Sequence, residues 1–535
     1  MPEPAPAGAP AHDCPSAKLK KGSAKPLHGG HPWVFAEAIA GFEGGAGVPA
    51  RPGSFTAGTE AGATPQAGDE VRVVDDRGTC IGRGFYSPAS AIAIRIITRA
   101  DTPIDQSLLE SRIDEAIRLR TEVLGLGGAG VPARQEQKWG GLSSLPGSGK
   151  QAGQPAPLSE AADADPKLLQ RLQELDNQLA RVQAFAAQYG MDALEETAEL
   201  RRRRDVLLKE LPPAERTAGV SPASSNAGET PAAQTTAYRL INSEGDGLGG
   251  LIVDVYGEYL SVQFGTAGMY RRAAVILDAL EKRLHPKAIV DRSDAHTRKI
   301  EKLPSPQEAP LRGTAPTAAH TVLEYGIEIT CDLRSGRGQK TGLFLDQREN
   351  RRRFGELAAG RDVLDVFSYS GGFSLHAACG GAKSVTLIES SADALDLARE
   401  NLSRVAPASV PAEFLQSEWP EGFKRLREAG RLFQLIVLDP PKFARGKGDV
   451  SAALSAYRDL NTQAVRLLAP GGLLFTCSCS GNVSELEFER TVAAGLRASG
   501  RRAVLLERRG PGPDHPTPPG FDQGRYLKCL VLQIV

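Results

Sequence analysis

From residue 362 to 477 the chain repeats one unit: a short apolar run, a turn, then a stretch with apolar residues at helical spacing. The runs at 362–367, 384–388, 412–415, 434–438 and 472–477 alternate with helix-period segments near 373–380, 391–403, 420–429 and 455–469. Strands joined through helices pair in parallel, because a parallel pair needs a crossover far longer than a hairpin. A sheet with helices on both faces then reads as near-continuous apolar strands. The pattern predicts a doubly wound, Rossmann-like α/β domain over 333–535. In such folds ligands bind outside the carboxyl ends of the strands, so residues just after each apolar run are the first candidates for chemistry.

The first run, Val363-Leu364-Asp365-Val366-Phe367, continues as Ser368-Tyr369-Ser370-Gly371-Gly372-Phe373. A glycine turn that opens a helix lets a ligand approach the backbone and offers it free N–H groups. The second run ends at Glu389, where an acid characteristically takes ribose hydroxyls. Strand, glycine turn, helix, strand and acid in that order point to an adenosine-type cofactor. The turn lacks Gly-x-Gly-x-x-Gly, which counts against a dinucleotide; S-adenosylmethionine has no pyrophosphate to cradle and fits better. The alternative is a tight βα turn that binds nothing.

The fourth run ends in Asp439-Pro440-Pro441-Lys442-Phe443. The prolines remove backbone donors and stiffen the turn. Asp439 and the neighbouring carbonyls can then hold an amino-bearing base edge, with Phe443 stacked on its face. A helix N-cap aspartate is the plainer alternative. The fifth run ends in Thr476-Cys477-Ser478-Cys479-Ser480-Gly481. Carbon 5 of a pyrimidine is too weak a nucleophile to take a methyl group unaided. A thiolate adding to carbon 6 makes carbon 5 enamine-like, which is covalent catalysis. An ordinary cysteine, with a pKa of about 8.5, needs help to ionise at neutral pH. Cys479, at the strand end, is the candidate nucleophile. Cys477, two residues earlier on the same face, reads as a buried strand cysteine.

The rest of the 535 residues exceeds one core and implies further domains. Residues 1–16, rich in Pro and Ala, read as a disordered tail, and 17–100 as a small β-barrel with strands near 71–74, 80–86 and 91–97 and a flexible insertion over 41–68. Residues 101–124 and 237–332 form a middle α+β domain, with helices over 108–123 and about 268–284 and strands at 238–242, 251–255, 259–264, 288–291 and 321–331. The segment 125–236 is an insertion. Gly45–Arg51 recurs almost unchanged as Gly128–Arg134, so its Gly/Ala/Pro tracts are low-complexity loops rather than a fold repeat. Leu168, Leu172, Leu175, Leu179 and Val182 step by four and three, and predict a helical hairpin over 165–211.

Seven scattered cysteines without a Cys-x-x-Cys fit a reducing cytoplasm and argue against disulfides or a metal site. No apolar run reaches 18 residues, so no membrane span is expected. Net charge is zero, which leaves an RNA partner dependent on local basic surface, such as Lys18–Lys25, Arg201–Arg204 or Arg348–Arg353.

On these residues the chain resembles the bacterial 23S rRNA (cytosine-5-)-methyltransferases, built from a PUA domain, a middle α+β domain and a class I S-adenosylmethionine-dependent methyltransferase domain. The matching stretches include His31-Pro32-Trp33-Val34-Phe35, Gly82–Ser90, Glu244–Leu248, Asp291–Asp294, Lys340-Thr341-Gly342, Leu345-Asp346-Gln347-Arg348, Phe367-Ser368-Tyr369, Asp439–Phe443, Ser478–Gly481 and Asp514-His515-Pro516. They span nearly everything except the insertions. The resemblance implies Cys479 as nucleophile and Asp439 on the cytosine and at the cofactor. It implies Lys340, Thr341, Asp346, Gln347, Arg348, Asp365, Phe367, Ser368, Gly371 and Gly372 around the cofactor, and Glu389 on its ribose. Pro440, Pro441, Lys442, Phe443 and Trp33 are then substrate contacts. The expected partner is large-subunit rRNA, with neither DNA nor membrane, and a homodimer is implied. Where relatives carry an aspartate near the adenine, this chain has Gln416-Ser417-Glu418, which leaves that contact unassigned. Two rivals stay open: an RNA guanine N-methyltransferase of the same fold, which needs no cysteine, and a catalytically lapsed RNA-binding or ribosome-assembly factor.

Overall fold

The computed structural model describes residues 14–43, 65–127, 235–305, 309–334, 342–444 and 446–535. The predicted helical hairpin at 165–211, most of the surrounding insertion, the first 13 residues and the candidates Lys340 and Thr341 lie outside the described residues.

The N-terminal sheet contains β1 (Ser16–Leu19), β2 (Trp33–Phe35), β3 (Ile39–Glu43), β4 (Glu70–Val74), β5 (Cys80–Tyr86) and β6 (Ile92–Thr98), in the order β2-β6-β5-β4-β1-β3. Alternate residues of β1 and β4 turn inward, and Leu19, Val34, Val71, Val73, Ile94 and Ile96 fill a small core. Gly41, Phe42 and Glu43 pair with β1 and belong to β3, not to the flexible insertion expected from residue 41. Phe42 packs on Tyr86 with ring centroids 4.9 Å apart, an apolar anchor that the glycine-rich sequence after it obscures.

The middle sheet runs β11-β10-β9-β8-β7, from β7 (Ala237–Asn242), β8 (Leu251–Tyr256), β9 (Tyr259–Phe264), β10 (Ala288–Asp291) and β11 (Arg312–Gly313). The helix predicted over 268–284 is two pieces, Ala267–Arg271 and Ala273–Leu284. Gly268 sits so tightly on Phe85 that an added Cβ would lie 2.3 Å from the ring, and the Arg272 guanidinium covers that ring at 3.9 Å. The helix is interrupted at Arg272, whose backbone stands at φ −101° and ψ 13°. The helix expected over 108–123 is α-helical only over Gln106–Arg118, then widens into a π turn at Leu119–Val123. The wider turn sends Arg120 inward, where it is fully buried on Asp246 and on the carbonyls of Arg239 and Asp514. Residues 321–331 form a hairpin, β12 (His320–Glu324) and β13 (Ile327–Cys331), turned by Tyr325 and Gly326 at φ of 52° and 79°.

The C-terminal sheet is built from β14 (Asp362–Val366), β15 (Ser384–Glu389), β16 (Ala412–Gln416), β17 (Phe433–Leu438), β18 (Leu468–Ser478), β19 (Ala503–Arg509) and β20 (Lys528–Ile534). Its order is β16-β15-β14-β17-β18-β20-β19. The first five strands are parallel, as the βα alternation predicts. β20 inserts antiparallel between β18 and β19. One apolar core lies on each face. The helix expected at 455–469 runs instead over Val450–Val465, and β18 begins earlier than expected because Leu468 pairs with Phe433.

Between β19 and β20 the chain leaves the sheet and crosses to the other two. Asp514 accepts from the Arg239 N–H at 2.9 Å, Asn242 donates to the Pro516 carbonyl at 2.9 Å, and Phe521 packs edge-on against Trp33 at 4.7 Å. Gly245 lets Pro516 come close, since a Cβ there would stand 1.9 Å from the Pro516 oxygen.

Candidate active site

β14 lies where the strand order reverses, with β15 on one side and β17 on the other. Val366 is level with Leu438, and Leu438 with Thr476. Asp439 and Cys479, on adjacent strands, therefore emerge at the same carboxyl edge. Cys479 Sγ stands 3.8 Å from the Pro440 carbonyl. Gln347 Nε2 donates to Asp439 Oδ1 at 2.8 Å, and its own oxygen accepts from Asn350 at 2.6 Å, so a buried amide fixes the half-buried carboxylate. Phe443 leans on the buried Tyr457 at 4.8 Å, while Pro441 and Lys442 are exposed.

The loop after Cys479 is held from two sides. Ser480 Oγ contacts the Tyr457 hydroxyl at 3.2 Å and accepts from the Ala444 N–H at 3.4 Å. Lys528, on β20, donates to the carbonyls of Ser480, Val483 and Tyr526. Cys477 is fully buried opposite Cys529. Its hydrogen bond with the free Cys529 thiol, together with burial, pushes the Cys477 thiol far up, so it stays protonated.

The turn after β14 adopts the left-handed region at Phe367, Tyr369 and Gly371, with φ of 64°, 48° and 78°. Two non-glycine residues in that region store strain of about 1–3 kcal/mol each, a feature that clusters at ligand clamps. Glu389 helps hold the turn: its carboxylate accepts from the Tyr369 and Ser391 N–H groups, each at 2.9 Å. Asp365 accepts from the Ser374 N–H and hydroxyl at 3.1 and 2.8 Å. Burial pushes Asp365 up to about 7, against which the Ser374 bonds act. Its Oδ1, the Ser368 hydroxyl and the Ser417 hydroxyl are buried without a partner among the described residues. Three such atoms gathered at one edge of the sheet, near the ends of β14 and β16, are available to a polar ligand. Their acceptor and hydroxyl groups suit the ribose, amino and adenine groups of S-adenosylmethionine.

Not every candidate faces this crevice. Arg348 is fully buried, with its guanidinium on Asp514 at 2.8 and 3.1 Å and on Glu349, so it braces the floor instead of offering a donor to a ligand. Asp346 accepts from the Tyr526 hydroxyl at 2.6 Å. Trp33 donates to Glu244 at 2.7 Å and lines a separate cavity of 280 Å³ with Leu27, His31, Phe35 and Gln523. Sequence reasoning missed Tyr457 and Lys528, and carried Ser480 only as a member of the Ser478–Gly481 stretch. Lys528 leaves a trace as a lysine opening the apolar run Cys529-Leu530-Val531-Leu532.

The sheet order, the strained glycine turn and the unsatisfied atoms beside it define a class I methyltransferase that depends on S-adenosylmethionine. Residues 304–512 match the S-adenosylmethionine-dependent methyltransferase family, and residues 17–99 match the PUA-like domain. The ribosomal RNA large subunit methyltransferase I of Aeromonas salmonicida is 39% identical over 299 residues, 56% of this chain and 74% of that protein. Its namesake in Klebsiella pneumoniae strain 342 is 28% identical over 522 residues, 97% of this chain and 98% of that one. The chain belongs to the ribosomal RNA large subunit methyltransferase I family. A SAM-dependent methyltransferase from Streptococcus mutans shares the fold at a TM-score of 0.63 and 16% identity, covering 97% of this chain and 99% of its own.

Proposed function

We propose that the chain methylates carbon 5 of a cytosine in large-subunit (23S) rRNA, with Cys479 as covalent nucleophile. The observation that carries this reading is the meeting of Cys479 and the Asp439-Pro440-Pro441 turn at one strand edge, 3.8 Å from sulfur to carbonyl. The names of the Aeromonas and Klebsiella relatives supply the class of RNA.

Asp365, Phe367, Ser368, Gly371, Gly372 and Glu389 would hold the cofactor on one side of the crevice, with Gln347 and Asp439 on the other. S-adenosylmethionine, when bound there, would supply an electrophilic methyl group, the electron pair of the broken sulfur–methyl bond staying on S-adenosylhomocysteine as it leaves. Asp439, oriented by Gln347, accepts from the cytosine amino group while Phe443 stacks on the ring. The Cys479 thiolate adds to carbon 6, and the electrons of the C5–C6 double bond move to carbon 5, which becomes methylated. Transfer of the carbon-5 proton to solvent water acting as the base rebuilds the double bond and expels the thiolate, returning the enzyme to its starting state. Pro440, buried, keeps the turn rigid while the base enters. Such a reaction on rRNA takes place in the cytoplasm, and sedimentation would show whether the working form is the implied homodimer.

The test is transfer of labelled methyl to unmodified 23S rRNA, with wild type beside Cys479→Ala. The expected result is label at carbon 5 of a cytosine that vanishes in the variant. Label on a guanine, or undiminished activity in Cys479→Ala, points to the guanine N-methyltransferase. Absence of cofactor binding points to a lapsed factor.

A further inference from the structure

Lys528 is the first residue of β20 and lies in register opposite Ser478, one residue before Cys479. It is only 4% exposed. An ammonium group has three donors, and all three are taken by carbonyls: Ser480 at 2.7 Å, Val483 at 2.8 Å and Tyr526 at 2.9 Å. None of these acceptors is a carboxylate. A buried charge without a counter-charge is costly, so the position of this one needs an explanation.

The largest charge influences on Lys528 come from Cys479, Glu485, Lys442 and Glu487. Glu485, Glu487 and Lys442 are all exposed, where water screens them. Only Cys479 shares its partly buried surroundings. Two of the three carbonyls also belong to the turn that follows Cys479, which the Val483 N–H closes onto the Ser480 carbonyl at 3.1 Å. The ammonium therefore clamps the loop that carries the thiol, bonding the carbonyl of the residue that follows Cys479 and bringing its positive charge within electrostatic range of the sulfur. Tyr457, which touches Ser480 from the other side, is neutral and pushed up further by burial.

We propose that Lys528 is a positioning residue whose ammonium group supplies the positive charge that stabilises the Cys479 thiolate. This rests on the reading of Cys479 as nucleophile. Burial pulls Lys528 down to about 8, and a negative charge on Cys479 raises it, so the lysine is largely charged at neutral pH and the two ionisations support each other. A nearby lysine is one of the recognised ways to depress a cysteine pKa.

The experiment follows alkylation of Cys479 by iodoacetamide against pH, read on its own peptide by mass spectrometry, in wild type and in Lys528→Met. Wild type should alkylate with a midpoint below the usual cysteine value of about 8.5. Lys528→Met should raise that midpoint by about one pH unit or more, leaving roughly a tenth of the thiolate at neutral pH. An unmoved midpoint overturns the proposal. Should Lys528→Met fail to fold, the reciprocal measurement replaces it, because coupling between two sites is mutual. In Cys479→Ser the Lys528 Nζ, followed by NMR in lysine-labelled protein, should titrate at lower pH than in wild type; an unchanged titration overturns the proposal. Neither readout needs RNA or methyl transfer. An active Cys479→Ala enzyme would overturn the nucleophile itself, whereas an unshifted midpoint removes only the role of Lys528.

Discussion

Replacing Asp514 by alanine tests whether the crossing between β19 and β20 braces the crevice. Its carboxylate accepts from Arg348 Nη1 and Nη2 at 2.8 and 3.1 Å and from the Arg239 N–H at 2.9 Å, and it contacts His515 Nδ1 at 3.1 Å. Both charged side chains of the Arg348 pair are fully buried. An exposed pair would contribute about 0–1 kcal/mol, but removing one partner of a buried pair costs about 3–5 kcal/mol, because the surviving charge stays out of water. Glu349 still accepts from Arg348 at 3.2 Å and places the loss at the lower end. A loss of about 3 kcal/mol lowers the melting temperature of a unit this size by about 6–12 °C. Circular dichroism melts at pH 7 provide the assay. Arg348→Met added to Asp514→Leu should restore most of the loss, since replacing a whole buried pair by apolar side chains is often neutral. Burial would raise Asp514, but the charges of His515 and Arg348 outweigh it and hold the carboxyl well below the usual range. The sign follows: the stabilisation is complete above the unfolded value of 3.8 and fades only as pH falls below it. The gap between wild type and Asp514→Ala should therefore be constant from neutral pH down to about 5 and narrow in stronger acid. A variant that melts with wild type, or strictly additive losses in the double variant, would refute the reasoning. Because Arg348 follows Gln347, Asp514→Ala should also loosen Asp439 and reduce methyl transfer.

Gly371→Ala forces a side chain into the left-handed region and brings its Cβ to 3.0 Å from that of Ala398. A strain of about 1–2 kcal/mol should weaken S-adenosylhomocysteine binding by about 5- to 30-fold in calorimetry; an unchanged affinity would show that the turn does not shape the pocket. Cys477→Ala should keep methyl transfer within about threefold while losing about 1 kcal/mol of stability with the Cys529 contact, and loss of activity without loss of folding would make Cys477 part of the chemistry. Asp365 is raised from 3.8 to about 7 in the folded chain, so the folded state keeps a proton that the unfolded state has already released. The stability of ligand-free protein should fall as pH rises from about 4 to 7, and Asp365→Asn should flatten that slope in thermal melts. A slope that survives the substitution assigns it to another group.

Most of what positions the site was legible because it is written in neighbouring residues. The βα alternation from 362 to 477 follows from the burial of a parallel sheet on both faces, and the residues after each apolar run fall at its carboxyl edge whatever the remainder of the chain does. That suffices to name Asp365, Glu389, Asp439 and Cys479 as strand-end residues. The antiparallel strands β19 and β20 escaped because the sequence reading rested on βα repetition, and these two break it. At the helix break, Arg272 lies over Phe85, and within the π turn Arg120 pairs with Asp246, partners that local periodicity does not reveal.

The partners of individual charges were decided only by three-dimensional packing. Beside Gln347, Arg348 reads as one more cofactor contact, yet its partner Asp514 lies 166 residues away in the chain. Lys528 reads as a strand-end lysine until β20 is paired with β18, and only that register sets its ammonium under the turn after Cys479. Apolar periodicity is a local property, repeated along each element and readable one segment at a time. The partner of a buried charge is a single atom pair brought together by strand order, and no spacing along the chain records it.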